Sequence, residues 1–227
     1  MIQRLVLGPM RTNTYIVACG KKECIIIDPG PDTDTLCKNL DSLNIVPQAI
    51  VFTHGHIDHT SGTLGIQDYF SKKNTQIPVG IHPGDSAYLQ EDSRELNRSF
   101  LPNNSIRADK TFEAMFQGLP LPDFTLADGD TIPGTTLSII HTPGHTQGSV
   151  CFYDEIKEAV FTGDTLYFDG IGHSNLPGGQ PDQIMDSIAT KLLTLPDNTR
   201  VFPGHGPFTT IEREKRDNQF KTNHGML

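Results

Sequence analysis

AIVFTHGHIDHTSG, residues 49 to 62, passes from an apolar run, Ala49-Ile50-Val51-Phe52, to His54, His56, Asp58 and His59, and then to small flexible residues. A short continuous apolar run bounded by polar breaks suits a strand covered on both faces. The group that follows places four titratable side chains within six positions. Such crowding costs desolvation and mutual repulsion unless a cation compensates it. The stretch therefore predicts a buried strand whose terminal loop belongs to a metal site.

The same transition recurs along the chain. His141 and His145 follow TLSII, Asp164 follows AVFTG, and His205 follows RVFPG. Where strand ends align at one edge of a sheet, their loops open into one cleft. Neutral imidazole and carboxylate are the donors preferred by zinc and similar divalent ions, and no cysteine is required. The set holds enough donors for two ions: three histidines for one, an aspartate and two histidines for the other, and an aspartate between them. An open position for water completes such a site when it does chemistry. Singly, Asp164 reads equally well as a turn cap and His205 as a turn residue; their recurrence at strand ends favours the metal.

Composition narrows the field. A chain of 227 residues carrying 18 Lys+Arg against 27 Asp+Glu, net charge −9, is long enough for one domain with a substantial core. The negative balance argues against a nucleic-acid partner. The opening MIQRLVLGPMRTN is interrupted at Gly8-Pro9, too early for a signal sequence or membrane span. A soluble, cytoplasmic protein without a membrane partner is expected. Cys19, Cys24, Cys37 and Cys151 match no zinc ribbon or redox pair and read as buried thiols.

The remaining elements follow from periodicity and punctuation. IQRLVL, TNTYIVA and ECIIIDPG read as a strand meander, and Leu36, Leu40 and Leu43 mark a helix that begins at Asp32 or Thr33. TLGIQDYFSKK reads as a helix, PVGIH as a strand, and Pro83-Gly84-Asp85 as the start of another helix. Residues about 86–122 are polar and broken by Pro and Asn, with one helix near DKTFEAMFQG, and read as an insertion or lid. A second meander spans FTLADGD to GDTL; QPDQIMDSIATKLLTL is a helix and TRVFPG a strand. A terminal helix is expected over about 209–220, with Thr209 and Glu212 as a capping box. The order suits an α+β αββα sandwich: two mixed sheets face to face with helices on both outer sides, in one domain over 1–227.

THGHIDH (53–59), HTPGHTQGS (141–149), FTGDTL (161–166) and FPGHGP (202–207) together resemble the motif series of the metallo-β-lactamase superfamily, over nearly the whole chain. The resemblance implies that His54, His56 and His145 hold one metal, that Asp58, His59 and His205 hold a second, and that Asp164 bridges them. It implies supporting places for His141 and for Asp28, although Asp28-Pro29-Gly30 would also serve as a plain strand-ending turn. Zinc is the expected ion, with iron or manganese as alternatives. Within the superfamily the wording is similar to the glyoxalase II group, in its short bacterial branch. YFDGIGHSNLPGG (167–179) resembles an element that usually carries Arg and Asp where this chain has His173 and Asn175, which makes those two the expected substrate-binding positions.

The resemblance thus implies a hydrolase of hydroxyacylglutathione-type thioesters, acting through a metal-bridging hydroxide, with Asp58 also orienting the nucleophile as the catalytic carboxylate. The substrate would be a small thiol conjugate. Arg213, Lys215 and Arg216 are available to an anionic thiol carrier or else form a solvated helix face. Thioester chemistry also suits the residues themselves, because a thiol with reference pKa near about 8.5 leaves without a dedicated acid. The readings held beside it are a mononuclear iron persulfide dioxygenase of the same superfamily and, below that, a phosphodiesterase or nuclease, or a lactonase.

Overall fold

Alternation along the strands builds the molecule. In β3 (Glu23–Ile27), Cys24 and Ile26 point one way and Ile25 and Ile27 the other, and both faces are buried. The neighbouring β2 (Thr12–Ala18) and β4 (Val46–Val51) divide in the same fashion: Ile16 and Ile50 go to one core, Tyr15, Val17, Ala49 and Val51 to the other. Strands apolar on both sides require a layer on each side.

The computed structural model describes residues 1–90, 93–99, 101 and 106–218. Among these, β1 (Ile2–Leu7), β2, β3, β4, β5 (Val79–Ile81) and β6 (Phe124–Thr125) lie side by side in one six-stranded sheet. The first three are antiparallel, as the expected meander requires; β3 to β6 are parallel. The second sheet holds β7 (Leu137–His141), β8 (Val150–Asp154), β9 (Ala159–Gly163), β12 (Arg200–Pro203) and β13 (Thr209–Thr210), and a two-stranded ribbon joins β10 (Leu166–Tyr167) to β11 (Gly170–Ile171).

Between the sheets Tyr15, Ile25, Ile27 and Val51 meet Ile139, Phe152, Phe161 and Phe202. On the outer face of the first sheet, α1 (Thr33–Leu43) contributes Leu36 and Leu40, and α3 (Thr63–Ser71) contributes Ile66 and Phe70. Outside the second, α6 (Pro181–Ser187) with its continuation Ile188–Leu192 and α7 (Ile211–Asp217) bury Ile184, Ile188, Leu192 and Ile211. This is the expected αββα sandwich. Asp32 is the helix-starting residue, accepting from Thr35 N at 3.2 Å.

One local expectation changes. The cap of α7 is Thr210, whose Oγ1 accepts from Arg213 N at 3.2 Å, because the Thr209 hydroxyl donates instead to Glu214 Oε1 at 2.6 Å. Residues 219–220 of the expected terminal helix lie outside the described residues. The stretch 86–122, read as a lid, forms α4 (Arg94–Ser99) and α5 (Ile106–Met115) where it is described. Leu101, Phe112 and Met115 bury against Ile57 of α2 (Ile57–Thr60), so this stretch buttresses the histidine-rich loop from the protein side. Residues 91–92, 100 and 102–105 of it lie outside the described residues. Among the described residues no helix is long and apolar enough to cross a membrane.

Candidate metal centre

Strand direction brings the polar loops together. Because β3, β4 and β5 are parallel, Asp28, the 54–59 loop and the turn after Ile81 leave from one edge of the first sheet. In the second sheet β7 and β9 both oppose β8, and β9 runs parallel to β12, so the segments carrying His145, Asp164 and His205 also share an edge. Backbone bonds clip the two edges to each other: Val150 N donates to Thr53 O and Asn13 N to Gly204 O, each at 2.7 Å.

His54, His56 and His145 form one donor group. Thr53 Oγ1 gives its proton to Asp28 Oδ2 (2.6 Å), so at 3.0 Å it can only accept from His54 Nδ1–H. His145 Nδ1–H donates to the His173 carbonyl at 2.6 Å. Both rings therefore turn bare Nε2 atoms inward, and each lies 3.1 Å from His56 Nδ1. A single proton there cannot serve all three nitrogens. Atoms so spaced stand like corners of a tetrahedron with a centre-to-corner distance of about 2 Å, the Zn–N scale. Burial, then the neighbouring histidines, push the pKa values of His54 and His56 far down, and burial lowers His145 as well, so all three are neutral.

Asp58, His59 and His205 form the other group. Asp58 Oδ2 accepts from Thr12 Oγ1 at 2.6 Å and stands 3.3 Å from the Nε2 atoms of both histidines. His59 donates its opposite nitrogen, Nδ1, to Asp28 Oδ2 at 3.0 Å, the arrangement in which a carboxylate orients a ligating imidazole. Burial opposes charge on His59, but Asp58, Asp164 and Asp28 outweigh it and lift its pKa to about 10. His205 is likewise raised against burial, chiefly by Asp164. Burial also opposes the charge on Asp58, yet His59 and His205 hold its pKa well below the carboxylate range. Asp28, His54 and His59 also lie close enough to share an ion, but both Asp28 oxygens are engaged by Thr53 and His59.

Asp164 faces both groups, with Oδ1 3.5 Å from His59 Nε2 and Oδ2 3.6 and 3.7 Å from the Nε2 atoms of His205 and His145. Its Oδ1 is buried with no hydrogen-bond partner. A side chain at position 204 would close this approach, since a Cβ on Gly204 would fall 2.2 Å from that oxygen. The orphaned carboxylate oxygen and the three converging lone pairs are what a metal-binding site presents, and the His/Asp cluster is consistent with a dinuclear centre.

A cavity of about 310 Å³ opens onto the cluster. Met10, Tyr167, His173 and Leu176 complete its lining beside His56, Asp58, His145, Asp164 and His205. His173 thus lies at the site, whereas Asn175 is exposed beside Leu176 and is not among the lining residues. His141 stands away from the cluster, its Nε2 2.9 Å from Gln147 O and its ring stacked on His82 at 4.1 Å.

The sequence reading missed Asp85. This buried carboxylate accepts from Gly55 N (2.9 Å), Thr146 Oγ1 (2.7 Å) and Gly148 N (2.7 Å), fastening the loop of His54 and His56 to the loop of His145. Burial raises its pKa against those three hydrogen bonds. It follows strand β5, so the strand-end rule that found the other groups applied to it too. Thr12 and Tyr88, whose ring meets His56 edge-on at 5.3 Å, were also missed.

Comparison with known proteins agrees with this geometry. The model of the metallo-beta-lactamase superfamily matches residues 7–205. This chain belongs to that superfamily. It is accordingly a metal-dependent hydrolase of the metallo-beta-lactamase superfamily. The hydroxyacylglutathione hydrolase GloC of Haemophilus influenzae is 30% identical over 220 residues, covering 96% of this chain and 97% of that protein. Among solved structures, the BLEG-1 B3 metallo-beta-lactamase superposes with a TM-score of 0.80 at 34% identity, covering 98% and 100% of the two chains. TTHA1623 in a di-iron-bound form gives 0.80 at 32% identity, covering 96% and 99%.

Proposed function

We propose that this superfamily member hydrolyses thioesters of hydroxyacylglutathione type, with His54, His56 and His145 holding one ion, Asp58, His59 and His205 a second, and Asp164 between them. The observation that carries the reading is the pair of donor groups that share Asp164 at the floor of one small cavity. Two divalent ions in those groups would supply Lewis acidity and a water acidic enough to be ionised near neutral pH. Zinc suits the nitrogen-rich donor set, and the di-iron state of TTHA1623 makes iron the competing identity.

The chain's own residues then have separate tasks. Asp58, kept ionised by His59 and His205, orients the attacking water. Asp28 holds the His59 ring and Thr12 the Asp58 carboxylate, so the groups meet substrate without reorganisation. Met10 and Leu176 give the cavity an apolar wall. The thiolate departs without a proton donor because its pKa lies near about 8.5. GloC, named for hydroxyacylglutathione hydrolysis and similar over nearly its full length, supports this substrate class. The second donor group favours a dinuclear hydrolase over a mononuclear iron dioxygenase.

The test combines elemental analysis of the purified protein with assays on S-D-lactoylglutathione, a chromogenic cephalosporin and a persulfide. Two ions per chain with release of thiol from the thioester is the expected result. Two ions with an untouched thioester would overturn the substrate, and a single iron with oxygen uptake on persulfide would overturn the reaction.

A further inference from the structure

A second cavity, about 380 Å³, lies against the metal-site cavity, and Met10 and His205 line both. Its other walls include Arg4, Val6, Arg11 and Asn13. Among the described residues, two arginines and no carboxylate line this space, although the whole chain carries a net charge of −9.

The hairpin explains why the arginines stand here. β1 is antiparallel to β2 and so runs with β3, placing the turn at Gly8–Arg11 on the edge where the donor loops emerge. That turn is tied to the centre on several sides. Thr12 bonds Asp58, Asn13 Nδ2 donates to Pro203 O (2.8 Å) and Gly206 O (2.9 Å), and Thr12 pairs with His205 as an isolated bridge. Arg4 Nη1 donates to Gly206 O at 3.0 Å, which steadies the side chain and leaves its other N–H groups available. The Arg11 backbone N–H closes the turn on Gly8 O at 3.2 Å, while its guanidinium has no ion-pair or hydrogen-bond partner among the described residues; its backbone sits at φ 59°, a conformation a non-glycine residue adopts at some cost.

The cations of the terminal helix are engaged elsewhere. Arg213 bonds Glu214 and lies 3.7 Å from the centre of the Phe168 ring, Lys215 pairs with Asp197, and Arg216 pairs with Asp217. Arg4 and Arg11 instead stand beside the metal-site cavity with donor capacity to spare.

We propose that Arg4 and Arg11 form a carboxylate-binding subsite that holds the anionic arm of the thioester while its acyl carbon lies at the metal centre. The inference rests on the proposed thioesterase reading for its substrate, but the binding surface stands on the hairpin geometry. Guanidinium presents paired N–H donors that match a carboxylate, and Val6, Met10 and Pro207 offer apolar contact to the aliphatic part of such an arm.

The test compares the intact protein with the double variant Arg4→Gln/Arg11→Asn, Asn being chosen because it tolerates positive φ. Three substrates separate the source of the charge: S-D-lactoylglutathione carries carboxylates on the thiol arm, S-succinyl-N-acetylcysteamine one on the acyl arm, and S-lactoyl-N-acetylcysteamine none. The ratio of kcat/KM for a carboxylate-bearing over the uncharged thioester should fall about tenfold or more in the variant, through KM, as expected for loss of charge-assisted hydrogen bonds. The charged substrate that loses the advantage identifies the arm, and Arg4→Lys/Arg11→Lys should restore part of it. An unchanged ratio for both charged substrates would overturn the subsite, even if overall activity dropped. Calorimetric titration with S-hexylglutathione, a thioether that cannot be hydrolysed, gives an independent readout. Arginine-dependent binding without any thioester hydrolysis would sink the thioesterase reading and leave the subsite standing. Hydrolysis of thioesters with arginine-independent affinities would do the reverse.

Discussion

The two donor groups of the centre share one short loop yet differ in charge. His54, His56 and His145 are neutral by burial and mutual repulsion, whereas His59 and His205 are drawn toward the protonated form by Asp58 and Asp164. The first group stands as neutral imidazoles; the second stands as a set of ion pairs that must surrender protons before it can take an ion. One loop thus begins both a group ready for metal at neutral pH, which His145 completes, and a group whose affinity depends on pH, which His205 completes.

Replacing His56 with Ala attacks the first group at the nitrogen where its distances converge, and should take hydrolysis to background with at least one ion lost by elemental analysis. Retained activity would break the assignment. Asp164→Asn removes the charge that both groups face, and should cost more than the roughly 10–100-fold in metal affinity that loss of a supporting partner typically costs. Metal titration of both ions reads the result.

Asp28→Asn tests the support rather than a donor. With the orientation of His59 weakened, affinity at the second group should fall by about 10–100-fold, and the first group should lose less, because Asp28 reaches His54 only through the Thr53 hydroxyl. Acidification distinguishes the groups without mutation: each proton displaced by metal makes affinity fall about tenfold per pH unit. Because His59 and His205 have raised pKa values, the second ion should already be weakening as pH drops from 8 to 7, where the lowered histidines of the first group still carry no proton. Loss of both ions in parallel would contradict the distinction. The smallest effect is expected from Asp85→Asn, which turns an amide toward backbone donors and should cost about 1–3 kcal/mol in denaturant unfolding. Loss of stability without loss of metal stoichiometry would confine Asp85 to fastening the two loops.

Much of this was legible because burial on both faces leaves a plain mark. The runs around Ile25 and Ile50 read as covered strands and proved to lie between helices and the opposite sheet. The donor list was legible for a related reason, since histidines and aspartates at strand ends have no good place in a core. Asp85 was harder to see because an aspartate after Pro-Gly is an ordinary turn residue; only its three donors, two of them from a loop more than 60 residues away, distinguish it. The expected cap at Thr209 failed because its hydroxyl is turned to the buried Glu214 carboxylate.

The sequence by itself determined the layers, the order of the elements and the residue types gathered at the strand ends, because alternation and composition are local properties of a chain. The tertiary structure alone decided which nitrogen of each imidazole faces the centre, that Asp85 fastens two of its loops, and that two arginines of the first hairpin stand beside the same cavity. Those depend on distances between segments as far apart as β1 and His205, and on hydrogen bonds whose partners no local pattern names.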